Sequence, residues 1–350
     1  MTEKSDNHRG IMGENSKQIS LSVIVPCFNV EQFLNRSLGC LERQWNGRTD
    51  YEIILINDAS TDRTLDKLND FAQRWPQNVI VIDKKTNEGV AAARNSGLEI
   101  ARGSWIVFFD PDDALVDNGY STLLNLVEKN KDVEILSFGV SAVNDKDWTE
   151  ELVKNNSDDV QIEWEGTGQE YVQKGLSGVC WRFLFKRELL ENRKFPSLTL
   201  LEDYMFVLPV FLTDVKVART FSKIYLYIQH TSSATNMVDG QKLNRGCDDM
   251  VKVLGQMSAV MKGLNEPLQS TLKARQSSYV ANLLSRLLLC DKDKHEIRQI
   301  RDYLQNELSI LPLTGNDLKM RLRSFVYSNL WLFELIRPLY RKLRHVKAKS

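Results

Sequence analysis

The sequence predicts an α/β protein with a doubly wound, mostly parallel sheet, followed by a helical C-terminal region. Four short apolar runs rich in Val and Ile come early in the chain, and such runs are typical of strands buried on both faces of a parallel sheet. They occupy residues 21–26, 52–57, 79–83 and 105–110. The segments between them are long enough for crossover helices, and this strand–helix alternation produces a doubly wound sheet.

The other elements follow from the same patterns. Apolar residues spaced three and four apart predict crossover helices within 31–45, 61–75 and 89–102, and residues 133–138 predict a fifth strand. The polar stretch 145–168 indicates a surface excursion. Apolar runs return after it, at residues 181–185, 200–212 and 223–228.

Three regions are expected along the chain. Residues 1–20 are polar and mixed in charge, and we expect a disordered N-terminal tail there. Residues 21–236 hold the predicted sheet and form one α/β domain. From residue 237 to residue 350 the pattern is helical, and it ends in a basic amphipathic tail.

The composition bounds the class of protein. The 350 residues are 42% apolar and 26% charged, as in soluble globular proteins. The formal net charge is zero, so no basic field indicates a nucleic-acid partner. The five cysteines form no Cys-x-x-Cys pair, which disfavours structural zinc and a disulfide framework. No apolar run reaches the roughly 18 residues of a membrane span, and a signal-peptide core is absent, so a cytoplasmic location is expected.

Acidic residues follow two of the predicted strands, where ligands bind in open α/β sheets. Asp58 follows the second strand, and Asp110, Asp112 and Asp113 follow the fourth. Neither a dinucleotide-binding glycine pattern nor a phosphate-binding loop occurs in the chain, so a bound nucleotide would need another positive partner, and a divalent cation is the obvious one. The alternative is that Asp-Pro-Asp-Asp only begins a helix.

Four motifs occur in order: "VIVPCFN", "INDASTD", "NEGVAAARNSGLEIARG" and "FFDPDD". The ordered set resembles glycosyltransferase family 2, the inverting nucleotide-sugar glycosyltransferases of bacterial surface polysaccharide type, which have the Rossmann-like GT-A fold. The resemblance is strong over residues 21–115. It continues more weakly through "WRFLFKRELL", "LEDYMF" and "YLYIQHTSS".

The resemblance implies a set of donor-binding residues at the strand ends: Pro26, Phe28, Asn29, Asp58, Asn87, Arg94 and Asp110. Asp58 would recognise the base, because a uracil ring presents an imide N–H to an accepting carboxylate. Pro26 and Phe28 would be the apolar walls of the base pocket. For Arg94 the alternative is an ordinary surface charge on a helix.

The resemblance also implies a Mn²⁺ or Mg²⁺ ion as cofactor. The metal residues that it implies are Asp112, Asp110 and His230. Asp112 corresponds to the direct metal ligand, Asp110 also contacts the ribose or donor sugar, and Asp113 lies behind them. His230 matches a position where many relatives place a second metal or diphosphate contact. A purely structural histidine is the alternative.

The catalytic base of the family lies in a Glu-Asp pair, which here is Glu202 and Asp203. We assign the base to Asp203, with Glu202 as the second candidate; a helix-start acid pair is the alternative. Trp181 and Arg182 fall in the region that relatives place beside the acceptor. Trp181 is equally suited to a core position, and many relatives have Lys where this chain has Arg182.

The resemblance implies transfer of a sugar, with inversion, from a nucleotide diphosphate donor such as a UDP-sugar to a glycan or lipid-linked acceptor. Two other hypotheses are weighed. A phosphotransferase of the haloacid-dehalogenase type also uses Asp-x-Asp, but near its first strand. A catalytically silent nucleotide-sugar-binding or scaffold protein would not need the acids at 58, 110, 112 and 203.

Residues 319–350 carry nine Lys or Arg and one acid, Glu334, a charge of +8. Basic residues beside Trp and Tyr on an apolar helix suit the interface of an anionic membrane, which would make the protein peripheral on its cytoplasmic face. The alternative is that this helix packs on the rest of the protein or on a second subunit.

Overall fold

The computed structural model describes residues 18–45, 48–154, 160–230, 240–311 and 325–347. The predicted disordered tail therefore lies outside the described residues as far as residue 17. The same holds for residues 231–233 of the motif after His230, and for residues 319–324 and 348–350 of the basic tail.

The centre of the sheet is parallel, as predicted. Strand β1 (Leu21–Cys27) lies between β2 (Tyr51–Asn57) and β4 (Trp105–Phe108), and β3 (Val79–Asp83) pairs with the outer side of β2. Every residue of β1, β2 and β4 is buried, which explains their unbroken apolar sequences. The four parallel strands end at one edge, where the acidic motifs begin.

Beyond β4 the sheet becomes mixed. The other strands, in chain order, are β5 (Ala114–Leu115), β6 (Ile135–Asn144), β7 (Trp164–Thr167), β8 (Phe183–Lys186) and β9 (Lys216–Gln229). Strand β8 runs antiparallel to both β4 and β6, and β9 runs parallel to β6. The two short strands, β5 and β7, pair antiparallel with β9 and were not predicted.

Helices cover both faces of the sheet. Three of them, α1 (Leu34–Glu42), α2 (Thr64–Arg74) and α3 (Val90–Ile100), are the predicted crossovers. They are followed by α4 (Gly119–Lys129), α5 (Gly168–Gln173) and α6 (Glu202–Phe211). One core, which includes Val23 and Leu38, lies on one face of the sheet, and a second core, which includes Ile24 and Phe206, lies on the other.

The C-terminal region is helical, with α7 (Gly240–Met261), α8 (Leu268–Leu287), α9 (Lys294–Asp302) and α10 (Leu330–Lys347). Helices α7 and α8 pack on the sheet domain: Val253, Met257 and Leu272 belong to the second core. In the part of the chain that the structure describes, no helix has the length and apolarity needed to cross a membrane.

Candidate active site

The loops after β1 and β2 are joined to each other by Asn29. Its backbone N–H donates to Ser60 Oγ at 3.0 Å, and the Thr61 N–H donates to Asn29 Oδ1 at 2.8 Å. Asn29 has a φ of 51°, a conformation that Asn tolerates better than most residues. Next to it, Phe28 is 45% exposed, whereas Pro26 is buried inside β1. Of the two predicted apolar walls, only Phe28 presents a surface to a ligand.

Asp58, which follows β2, is buried and lies against the start of α3. Its two carboxylate oxygens accept the Glu88 N–H at 3.2 Å and the Gly89 N–H at 2.7 Å, and Lys84 Nζ lies 3.3 Å away. An acid is favourable at this end of a helix, where backbone N–H groups lack partners. Asp58 therefore holds the loop that carries the exposed Asn87.

Arg94 lies at the centre of the acidic cluster. Its side chain is 4% exposed, and it donates from Nη2 to Asp110 Oδ1 at 2.9 Å and from Nη1 to Asp203 Oδ1 at 2.5 Å. Glu202 Oε1 lies 3.6 Å from Nη1. The guanidinium is thus bound by three carboxylates of the protein. A direct contact between Arg94 and a nucleotide stays a prediction.

Burial, together with the neighbouring carboxylates, raises the pKa values of two of these acids. Burial raises the pKa of Asp110 to about 6, with Asp112 and Asp203 adding to the rise and Arg94 opposing it. Burial, and then the neighbouring Asp203 carboxylate, raise the pKa of Glu202 to about 7, again against the effect of Arg94. A carboxyl group with a pKa near neutrality is suited to exchange a proton during catalysis.

Glu202 and Asp203 are the first two residues of α6, and they are held differently. Asp203 is bound on both oxygens, by Arg94 on Oδ1 and by the Cys180 N–H on Oδ2 at 3.1 Å. Glu202 meets Arg94 at the longer distance of 3.6 Å. Of the two acids, Asp203 is therefore the one that is held in a fixed position, and Glu202 is the one with the raised pKa.

Asp112 and His230 form the second half of the site. His230 Nε2 lies 2.8 Å from Asp112 Oδ2, and the imidazole packs against the Phe33 ring at 4.5 Å between centroids. Arg36 Nη2 donates to the backbone carbonyl of Asp112 at 2.6 Å. Two of the three predicted metal residues, Asp112 and His230, thus lie together although they are far apart in the sequence.

Asp113 connects the acidic loop, which is residues 110–113 after β4, to β9. It is buried, and it accepts the Tyr225 hydroxyl and the Ile228 N–H, both at 2.7 Å. Burial raises the pKa of Asp113 well above its ordinary range, and the Asp112 and Asp110 carboxylates add to the rise. Tyr225 in turn accepts the Asp110 N–H at 3.2 Å. Asp113 therefore positions the neighbouring acids.

The two predicted acceptor residues occupy different surroundings. Trp181 stacks on Tyr225 with centroids 4.4 Å apart and lies 5.9 Å from Tyr227. Arg182 donates from Nε to the Phe138 carbonyl at 3.2 Å. Trp181 is therefore next to the tyrosine that holds the acidic loop, while Arg182 is tied to β6.

Sequence reasoning missed three contributors to this site: Arg36, Cys180 and Tyr225. Arg36 lies in a helix 76 residues before its partner, and its sequence neighbours give no signal of that contact. Cys180 acts through its backbone N–H, which every residue except Pro has. Tyr225 lies in a quoted motif, but the motif does not indicate which acid its hydroxyl binds.

Comparison with known proteins identifies the family. Residues 22–194 match the sequence profile of glycosyl transferase family 2. An uncharacterized glycosyltransferase of Haemophilus influenzae is 30% identical over 203 residues, which are 58% of this chain and 75% of that protein. The chain belongs to glycosyltransferase family 2.

Two further relatives are longer proteins. The minor teichoic acid biosynthesis protein GgaB of Bacillus subtilis is 36% identical over 130 residues, 37% of this chain and 14% of GgaB. The poly(ribitol-phosphate) beta-glucosyltransferase of Bacillus spizizenii is 28% identical over 214 residues, 60% of this chain and 32% of that enzyme. The matched region thus spans less than a third of either protein.

Solved structures confirm the GT-A fold over nearly the whole chain. S. aureus TarS residues 1–349, in complex with UDP-GlcNAc, superpose with a TM-score of 0.63 at 18% identity, covering 93% of this chain and 92% of TarS 1–349. The mannosyltransferase PcManGT of Pyrobaculum calidifontis, in complex with GDP-Man and Mn²⁺, gives a TM-score of 0.52 at 16% identity, covering 92% and 88%.

Proposed function

We propose that the protein transfers a sugar, with inversion, from a nucleotide diphosphate donor to a hydroxyl of a glycan or lipid-linked acceptor. The observation that carries the proposal is the Arg94 cluster, which joins Asp110 after β4 to Asp203 at the start of α6. A donor-side acid and an acid suited to be the base are thereby held on the two sides of one buried cation. Inverting transfer needs a positioned base on the side opposite to the leaving group, and the contact with Arg94 gives Asp203 a defined position for that role.

A UDP-sugar is the proposed donor, and surface polysaccharide synthesis is the proposed pathway. Two relatives support the pathway by their names, which refer to teichoic acid biosynthesis and to glucosyl transfer involving poly(ribitol-phosphate). The complex of TarS with UDP-GlcNAc supports the nucleotide. The exposed ring of Phe28 is a flat apolar surface for a uracil ring. The Asp58 carboxylate is buried and already accepts two backbone N–H groups, so the imide N–H of uracil would be a further donor to it.

A Mn²⁺ or Mg²⁺ ion is the proposed cofactor. Among the described residues, no group of three or more His, Cys, Asp or Glu has the arrangement of a complete metal site. A site of this kind does not need one, because such ions are commonly held by one or two carboxylates together with substrate phosphates and water. The Asp112 carboxylate and the His230 imidazole fit that role, with Asp110 beside them. The ion would supply Lewis-acid neutralisation of the departing diphosphate.

The protein's own residues carry the remaining steps. Asp203 accepts the proton of the attacking acceptor hydroxyl. At the same time the hydroxyl oxygen bonds to the anomeric carbon, and the nucleotide diphosphate leaves. Arg94 and the Cys180 N–H keep the Asp203 carboxylate oriented. Trp181 offers an aromatic face for the C–H surface of the acceptor sugar. The Trp181 ring lies next to that of Tyr225.

The test is a panel of sugar nucleotides scored by thermal shift, with and without Mn²⁺, followed by a transfer assay. We expect one UDP-sugar to stabilise the protein selectively, and more strongly with Mn²⁺, because a ligand stabilises the state that binds it. Full transfer and donor hydrolysis in both Asp112→Ala and Asp203→Ala would refute the proposal. Binding without turnover would instead identify a silent binding protein, and a trapped aspartyl-phosphate would identify a phosphotransferase.

A further inference from the structure

Helix α10 is fixed to the helical region by one face. Phe333 is fully buried in the core formed with α7 and α8. Arg337 donates from Nη2 to the carbonyls of Cys290 and Lys292, at 2.5 and 2.7 Å, and Arg341 donates to the Leu288 and Cys290 carbonyls. The carbonyls just after α8 lack helical partners, and cationic side chains satisfy them well. These contacts determine which face of α10 points outward.

The outward face carries a stripe of large apolar side chains. Trp331, Leu335 and Leu339 are 69%, 61% and 62% exposed, and their spacing of four places them along one side of the helix. Lys342 is exposed on the same side. Isolated exposed apolar residues are common, whereas several aligned on one helix indicate a surface that binds something.

The basic sequence that contains the stripe identifies its occupant. Residues 319–350 carry nine Lys or Arg and one acid. Two of the nine, Arg337 and Arg341, are bound to carbonyls just after α8, whereas Lys342 is exposed on the outward side. A second copy of the chain would bring the same charge to the contact and be repelled, whereas an anionic bilayer attracts each Lys or Arg near its surface by about 1 kcal/mol. Trp and Leu on such a helix insert between lipid headgroups. We propose that the stripe Trp331–Leu335–Leu339 binds the surface of an anionic lipid bilayer.

The experiment is flotation of the full chain with vesicles of equal parts phosphatidylcholine and phosphatidylglycerol, compared with phosphatidylcholine alone. We expect binding to the anionic vesicles only, weakened by salt because the attraction is screened. The triple substitution Trp331→Ser, Leu335→Ser, Leu339→Ser should reduce binding at least about tenfold, through loss of inserted apolar area. Lys342→Glu should weaken it about fivefold or more.

A matched control removes three exposed apolar side chains from other elements: Ile100, Leu152 and Phe221, each to Ser. This control should float like the unmodified chain, and thermal unfolding should show both triple variants folded. Equal flotation of the α10 variant and the unmodified chain would overturn the proposal. So would absence of binding to the anionic vesicles, and self-association that the α10 substitutions abolish would then assign the stripe to a second copy of the chain.

Discussion

Arg94 Nη1 donates a 2.5 Å hydrogen bond to Asp203 Oδ1 across 109 residues of sequence. The same guanidinium binds Asp110 on its other nitrogen, so one cation connects the acid after β4 with the acids at the start of α6. Three carboxylates this close would otherwise ionise reluctantly. Arg94 is therefore the positive partner of these acids in the protein itself.

Arg94→Lys should lower kcat by about a hundredfold while leaving the protein folded. Lysine keeps the charge but cannot bind two carboxylates with a planar fork, so Asp203 loses its fixed orientation. Arg94→Met should additionally destabilise the fold by about 3–5 kcal/mol, since it leaves buried acids without a cation. Steady-state kinetics and urea unfolding measure the two effects.

Arg102→Lys is the matched control for this substitution. Arg102 also binds a buried acid, Glu52 at 2.7 Å, but at the end of α3 away from the cluster. We expect its kcat to stay within about twofold of the unmodified enzyme, because nothing it contacts belongs to the site. An equal loss in both variants would mean that Arg94 matters only for folding.

Asp203→Asn and Glu202→Gln separate the two candidates for the base. Asp203→Asn should lower kcat by about a thousandfold, because the amide cannot accept the proton. Glu202→Gln should lower kcat by less. The unmodified enzyme should show a rise in rate with increasing pH centred near 7, the pKa of Glu202, and this variant should lack that rise. Ionised Glu202 adds a negative charge beside Asp203 and so makes it a stronger base. The opposite order of losses would transfer the base role to Glu202.

Glu202→Gln should also stabilise the protein above neutral pH. Burial, and then Asp203, raise the pKa of Glu202 from an ordinary 4.5 to about 7, so the folded state holds this proton more tightly than the unfolded state. The free energy of unfolding then falls as the pH rises from 4.5 to about 7. We expect the variant to melt about 1–3 °C higher at pH 8 and to show a shallower pH dependence. Asp110, whose pKa burial also raises, keeps part of the slope.

The parallel half of the fold was predictable because its signals are local. Continuous apolar runs mark β1 to β4, and helical spacing marks the crossovers between them. The short strands β5 and β7 carry too few residues for a periodicity to be read. Their place is decided by pairing with β9, which is a long-range contact.

The candidate site was predictable by residue identity but only partly by contact. The ordered motifs predict Asp110, Asp112, Asp203 and His230 as site residues. In the structure Asp110 and Asp203 both bind Arg94, and Asp112 lies beside His230. The enclosure of Arg94 was not predictable, because all three of its acidic partners lie outside its own helix. Neither was the binding of Asp58 by the start of α3, which depends on how the loop after β3 turns.

Arg36→Lys should weaken Mn²⁺ binding by about tenfold and leave kcat at saturating Mn²⁺ nearly unchanged. Arg36 holds the Asp112 backbone carbonyl at 2.6 Å and packs over the rings of Phe33 and Trp148, at 5.7 and 5.2 Å. Groups that orient a ligand in this way commonly change metal affinity by about 10- to 100-fold. Mn²⁺ titration of the thermal shift in the presence of UDP measures it.

Asp145→Asn is the control for Arg36, since Asp145 also binds that guanidinium, at 2.8 Å, and its side chain is 46% exposed. An exposed ion pair contributes little, so we expect Mn²⁺ binding to change by less than about threefold. A Mn²⁺ titration of Arg36→Lys that superposes on that of the unmodified protein would show that the Asp112 carbonyl contact does not position the metal site.

Asp112→Asn and His230→Asn should both impair metal-dependent transfer, since the Asp112 carboxylate and the His230 imidazole lie 2.8 Å apart at the proposed ion site. We expect Asp112→Asn to lower kcat by about a hundredfold or more, because it removes the charged ligand. His230→Asn should raise the Mn²⁺ concentration needed for half-maximal activity by about tenfold. EDTA should abolish transfer by the unmodified enzyme, and added Mn²⁺ should restore it.

His295→Asn serves as the histidine control, because His295 is exposed in α9 and contacts Gln299 at 3.1 Å. Its Mn²⁺ dependence should match that of the unmodified enzyme. If EDTA leaves transfer intact and Asp112→Asn keeps full activity, the acidic loop does not hold a metal. The hydrogen bond between Asp112 and His230 would then be structural, and the positive charge bound to Asp110 would be that of Arg94 alone.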